Sequence, residues 1–195
     1  MTRNTNRWRT IDIVVAAVLA VAFGVIFWAW NFVWEGASAA LAFYPPLKAI
    51  VYGLWMVPAI LGMLVIRKPG AGLFTETVAS TVSMLLGTSW GIGLVLQGAV
   101  QGAAGEAGFA LGGYRRYGLP QALLGGALAG FAATVWDSFV WYGETDWLTF
   151  RIPFIAVATL SSAIIAGLGA MALTKALSAT GALDRFPSGR DRAAV

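Results

Sequence analysis

Three carboxylates and two amides interrupt stretches that are otherwise apolar: Glu76, Glu106 and Asp137, with Gln97 and Gln101. An ionised carboxylate at mid-bilayer depth costs about 2.5–3.5 kcal/mol even on an insertion scale, so such groups need a partner or a task. Gln97 and Gln101 are four residues apart and share a helix face. Ser80 and Ser83 follow Glu76 on one face of another. For Glu76 and Glu106 two readings stand: contact with a ligand, or bonding within the protein, with Arg67, Lys68, Arg115 and Arg116 as ion-pair partners. Gln97 and Gln101 divide in the same way between a ligand and interhelical hydrogen bonds. Asp137, preceded by Trp136 and close to Trp141, has the surroundings of a ligand contact. The chemistry open to the chain is narrow, because it contains no His and no Cys. Imidazole and thiolate metal sites, Cys nucleophiles and His-based triads are excluded. None of its lysines follows a Gly, so no G-x-x-x-x-G-K phosphate loop is present to hydrolyse ATP.

The elements that position these groups follow from composition. The 195 residues are 58% hydrophobic and 11% charged, with a mean hydropathy of +0.74. Average soluble domains are nearer 45–50% apolar and about 25% charged. A soluble globular domain and a disordered chain are excluded. So is a typical nucleic-acid binder, since the net charge of +4 and pI near 9.8 have no patch of bases with interleaved aromatics behind them. Gly, Pro and charges divide the apolar sequence into six predicted spans, at about 11–34, 47–66, 72–87, 92–113, 119–142 and 152–177. The first is longer than a signal-peptide core and is read as a retained helix. The expected architecture is an all-α integral membrane protein, a six-transmembrane-helix bundle. Residues 1–10 form a short leading segment, residues 11–178 the bundle, and residues 179–195 a polar tail, mobile from Gly181 onward.

Loop charges orient the bundle. Arg3, Arg7, Arg9, Arg67, Lys68, Arg115, Arg116, Lys175, Arg185, Arg190 and Arg192 fall on one side, and only Lys48 and Arg151 on the other. The positive-inside rule then makes both termini cytoplasmic. The external side collects Asn31, Trp34, Glu35, Tyr44, Tyr52, Trp55, Trp90, Trp136, Asp137, Trp141, Tyr142, Glu144, Asp146 and Trp147. An interfacial aromatic belt explains part of this set. Trp8 is the only Trp near the inner face, however, and rings mixed with carboxylates also suit a cup for a flat cationic ligand. A ring face attracts a cation by about 0.5–2 kcal/mol. Small residues at four-residue spacing mark helix faces that approach neighbours closely: Ala16/Ala20/Gly24, Gly98/Gly102, Gly108/Gly112 and Ala122/Gly126/Gly130.

The chain resembles the integral-membrane S component of energy-coupling factor (ECF) transporters, specifically the YkoE-type family linked to thiamine and its hydroxymethylpyrimidine (HMP) precursor. The resemblance runs over nearly the whole chain. It rests on the spans, the Ala16/Ala20/Gly24 ladder, Tyr52-Gly53-Leu54-Trp55 and Ile66-Arg67-Lys68-Pro69-Gly70-Ala71 leading to Glu76. Leu86-Gly87-Thr88-Ser89-Trp90-Gly91, Gln101-Gly102 with Glu106, and Trp136-Asp137 complete it. The resemblance implies a transport subunit of the plasma membrane, itself no enzyme and with no cofactor of its own. Such a subunit captures a vitamin near the external face and docks on a membrane T component and a pair of cytoplasmic ATPases, which use ATP and Mg²⁺. It implies docking through Ala16, Ala20 and Gly24, the last a departure from Ala. Taken with the residues above, the expected substrate-binding set is Tyr52, Trp55, Glu76, Trp90, Gln97, Gln101, Glu106, Trp136 and Asp137. Two rivals remain, a cobalt- or nickel-uptake subunit and a stand-alone channel or carrier. The metal reading is weakened by the missing His and Cys. A membrane enzyme would have to work with Glu and Asp alone.

Overall fold

The computed structural model describes residues 6–189, so Arg3, Arg190 and Arg192 of the charge pattern lie outside the described residues. The chain is all-helical, with no strand among the described residues. Its elements are α1 (Thr10–Ala40), a 3₁₀ segment (Pro45–Met56) running into α2 (Val57–Ile66), α3 (Ala71–Leu85), α4 (Gly93–Ala110), α5 (Leu119–Val140), and a π-helical turn (Trp147–Arg151) leading into α6 (Ile152–Ala179). Four stretches are long and apolar enough to cross a membrane: Thr10–Ala40, Pro45–Ile66, Leu119–Val140 and Trp147–Ala179. The other two predicted spans, α3 and α4, are the ones that carry Glu76, Gln97, Gln101 and Glu106. At 15 residues, α3 rises only about 22 Å, less than a hydrocarbon core of about 30 Å.

α2 is the centre of the bundle. All ten of its residues are buried, as expected of a helix that is apolar all round. The other helices pack around it through small residues. A Cβ added at Gly108 would lie 2.5 Å from the Gly125 amide nitrogen, so α4 and α5 are in backbone contact there. The α1 ladder is used in the same way: Ala16 and Ala20 are fully buried, and a Cβ at Gly24 would stand 2.6 Å from Cγ1 of Val82 on α3. The face expected to dock on a partner protein is thus packed within the chain, with Gly24 against Ala79 and Val82 of α3. The side of α1 that faces away from the bundle carries Val14, Val18, Val21, Val25 and Phe32 instead.

The tail also departs from expectation. Leu183 and Phe186 are buried, and the Ser188 hydroxyl donates to the Val65 carbonyl at 3.3 Å. Residues 181–189 therefore close over the end of α2 rather than trailing free.

Contacts between elements define two ends. One, the clamp end, gathers the start of α1, the α2–α3 turn and the α4–α5 loop. Trp8 Nε1 donates to the Pro69 carbonyl at 2.9 Å, and Lys68 reaches Asp12. Arg67 lies 5.3 Å from the Tyr117 ring centroid. The other, the cup end, gathers the second half of α1, the 3₁₀ segment, the start of α4, the end of α5 and the loop to the π turn.

Candidate functional site

The cup is built around Asp137, in the last turn of α5. Tyr52 of the 3₁₀ segment donates its hydroxyl to Asp137 Oδ2 at 2.6 Å, and Gln97 of α4 donates Nε2 to Oδ1 at 2.6 Å. Gln97 Nε2 also donates to the Tyr52 hydroxyl at 3.2 Å. All three side chains are buried. Three elements far apart in sequence are thus tied at one carboxylate by charge-assisted hydrogen bonds, which are shorter and stronger than neutral ones.

Aromatic rings wall the space beside this trio. Trp34 meets Tyr52 and Trp55 edge to face, with centroids 5.9 and 5.3 Å apart, and Trp90 meets Trp141 at 5.1 Å. Asn31 fixes the rim by accepting from Trp90 Nε1 at 3.1 Å. The space so enclosed, open to solvent on one side, holds about 490 Å³ when that open part is included. Its floor is polar: Ser80 and Ser83 of α3 and Gln101 of α4. The buried Ser80 hydroxyl has no hydrogen-bond partner. Gln101, also buried, makes no hydrogen bond to another described residue. Buried polar groups are normally paired. The Gln101 amide, which lines the cavity without a partner, is left available to an occupant, whereas the Ser80 hydroxyl is enclosed against Gly98 of α4.

Basic residues brace the rim without lining the cavity. Lys48 Nζ lies 5.1, 4.7 and 5.8 Å from the ring centroids of Trp34, Tyr142 and Phe150. Arg151 is buried, stacks 4.7 Å from the Trp147 centroid and donates to the Gly143 carbonyl. Asp146 Oδ1 accepts from the Leu148 and Thr149 amides at 3.1 and 2.9 Å. Its hydrogen bonds with Thr149, the backbone one first, hold that carboxyl below the usual carboxylate range.

Of the nine residues expected to bind substrate, Tyr52, Trp55, Trp90, Gln97, Gln101 and Asp137 share this cavity. Glu76, Glu106 and Trp136 do not line it. Glu76 is fully buried, and its Oε2 accepts from the Ala59 amide in the first turn of α2 at 3.0 Å. It lies one helical turn before Ser80. Glu106 belongs to the clamp end. It accepts from the Gly70 and Leu73 amides, at 2.6 and 3.3 Å, and so caps the start of α3. It also accepts from the Tyr114 hydroxyl at 2.9 Å. Burial, with the donated bond to Glu106, pushes the Tyr114 phenol up to about 12. Trp136 is half-buried on α5 outside the cavity.

Phe27 and Leu94, also on the wall, went unnoticed in the sequence. Spacing carried a signal for them. Phe27, Asn31 and Trp34 follow i, i+4, i+7 on α1, and Leu94, Gln97 and Gln101 follow i, i+3, i+7 on α4, one face of each helix.

Comparison with known proteins gives three matches. The model of a family described as the ABC-type cobalt transport system, permease component, matches residues 11–132. A relative from Bacillus subtilis (strain 168), described as the HMP/thiamine permease protein YkoE, is 30% identical over 184 residues, covering 94% of this chain and 92% of its own. A crystal structure of an S component of an ECF transporter superposes with a TM-score of 0.88 at 28% identity, over 95% of this chain and 93% of that one.

Proposed function

Since this chain belongs to the YkoE family of membrane permease components, we propose that it is the substrate-binding S component of an ECF importer and takes HMP or thiamine into the aromatic cup. The observation that carries this reading is the unpartnered Gln101 amide on the floor of that cup. A carboxamide presents a donor beside an acceptor, the complement of an amino group beside a ring nitrogen, as in the pairing of Gln or Asn with adenine. An aminopyrimidine offers that edge, and the rings of Trp34, Tyr52 and Trp55 give its faces apolar cover. The relative's description as an HMP/thiamine permease supports the same cargo.

The remaining parts of the reading concern the membrane. Six helical spans cross the bilayer, the 3₁₀ segment and α2 together forming one and the shorter α3 and α4 included, with both termini cytoplasmic. The charge pattern supports this orientation: Arg7, Arg9, Arg67, Lys68, Arg115, Arg116, Lys175 and Arg185 belong to the clamp end, and Lys48 and Arg151 to the cup end. The cup then opens outward. Energy comes from partner ATPases acting through a T component, since the chain has no phosphate loop. With Gly24 packed on α3 and Ala16 and Ala20 buried, docking of the T component through that ladder would require this part of α1 to be uncovered.

Saturable binding of thiamine and HMP to the purified chain, measured by calorimetry in detergent or nanodiscs, tests the cargo. Binding of neither, alone or with partner subunits, rejects it. The family description names cobalt transport, so Co²⁺ is the second ligand to measure. The absence of His and Cys leaves such an ion only oxygen ligands, its weaker choice.

A further inference from the structure

The cup does not end at its aromatic rim. Asn31, Trp34 and Trp90 also line a second, more open cavity, which Glu35, Ser38 and Ser89 complete. Three shared residues make the two spaces adjacent, with the indoles of Trp34 and Trp90 at the boundary. Their charges differ. The inner cup is lined by one carboxylate, Asp137, both of whose oxygens are taken by Tyr52 and Gln97. The Lys48 ammonium stands on the Trp34 and Tyr142 rings. The outer space has a single formal charge, Glu35, exposed and without an ion pair or hydrogen bond to another described residue.

We infer that the site has two compartments of different chemistry: an inner cup, its one carboxylate taken up by Tyr52 and Gln97, for an uncharged hydrogen-bonding ring, and an outer vestibule where Glu35 and the Trp90 ring hold a cationic ring. This rests on the proposed cargo and adds to it the orientation of the ligand and the residue that tells a cationic ligand from a neutral one. A two-ring ligand such as thiamine places its aminopyrimidine against Gln101 and Ser80 and its thiazolium beside Glu35. HMP, which lacks the thiazolium, uses the inner cup alone. An unpaired carboxylate beside aromatic faces attracts a cation through both Coulomb and ring terms, each modest where solvent reaches it. Neither acts on a neutral molecule.

Glu35 is exposed and bonds to no other described residue, so its substitution leaves the fold intact, and HMP binding serves as the internal check. The experiment measures thiamine and HMP affinities by calorimetry for the unaltered chain, Glu35→Gln and Glu35→Asp, at low and moderate salt. The expected result is that Glu35→Gln weakens thiamine binding about fivefold, while HMP affinity stays within twofold and Glu35→Asp restores most of the loss. Added salt should weaken thiamine binding to the unaltered chain, and much less to Glu35→Gln. Thiamine affinity unmoved by Glu35→Gln, or equal losses for both ligands, overturns the two-compartment inference while leaving the cargo in place. Binding of neither ligand by the unaltered chain rejects the cargo and the inference together.

Discussion

The clamp end and the cup end use the same kinds of side chain to opposite purpose. At the clamp, the charged groups are answered from within the chain, although the Tyr117 hydroxyl is not. Asp12 accepts from the Arg9 backbone and guanidinium, each at 2.7 Å, and from Lys68 at 2.5 Å. Lys68 donates also to the Arg7 carbonyl, and Glu106 saturates the start of α3 and the Tyr114 hydroxyl. At the cup, Asp137 organises the frame, but the Gln101 amide lines open space without a partner, and the nearby Ser80 hydroxyl is enclosed and also unpaired. A buried polar group that is fully paired is part of the scaffold. One left unpaired beside a cavity costs stability in the empty protein and has that cost returned when a ligand supplies the missing bond. Residue type alone does not separate recognition from structure, and neither does a missing bond alone, since Glu76 Oε1 and the Tyr117, Thr159 and Ser162 hydroxyls are also buried and unpaired away from the cup; an unpaired group must also line open space.

The comparison breaks first, if it is wrong, at the clamp. Asp12→Ala strands the buried Lys68 ammonium and removes the first-turn acceptor of α1, a loss of about 3 kcal/mol in stability by the precedent of broken buried pairs. Denaturant unfolding in detergent should show that loss, while ligand affinity of the folded fraction stays unchanged. Gln101→Ala should do the reverse. It removes an amide that serves no protein partner, so stability moves by less than about 1 kcal/mol, and affinity for HMP and thiamine falls by about 1–3 kcal/mol. Calorimetry and unfolding on one preparation separate the two. A stability loss with intact affinity would return Gln101 to the scaffold.

A smaller effect belongs to Glu106→Gln. The amide oxygen can still accept one backbone bond, but its nitrogen cannot accept the second, and the negative charge at the start of α3 is lost. Caps of this kind contribute about 1 kcal/mol. Lower stability with unchanged affinity is the expected outcome. Weakened ligand binding would place Glu106 functionally with the cup despite its position.

How much of this was legible in the sequence differs between the ends. Helical spacing placed Gln97 and Gln101 on one face, and aromatic crowding near Asp137 pointed to a cup, because both signals are local to one helix or one set of loop ends. Glu106 sits inside the same apolar pattern as Glu76. Its role as a cap on another helix depends on the register between α3 and α4, which no spacing within either helix encodes. The Ala16/Ala20/Gly24 ladder is similar. Small residues state that something approaches closely, and only the packed structure shows that Val82 and Ala79 of α3 do so. Phe27 and Leu94 were hidden for a further reason. In so apolar a chain, a side chain that lines a pocket has the same hydrophobicity as one that faces lipid.

The finest test of the comparison is Ser80→Ala. Its hydroxyl is buried on the cup floor with no partner, one turn along α3 from Glu76. Replacing an unsatisfied buried hydroxyl by hydrogen removes a desolvation cost and deletes no protein hydrogen bond, so the empty protein should be unchanged or more stable by about 1 kcal/mol. The ligand-bound protein should lose a bond of similar size. Ligand-induced stabilisation is therefore the sensitive measurement: the gap between the unfolding midpoints of the empty and the HMP-saturated protein should narrow in Ser80→Ala. The two changes add in that difference, since one raises the lower midpoint and the other depresses the upper. If the gap is unaltered, the occupant does not reach the floor, and the open valences there are a packing feature rather than a recognition surface.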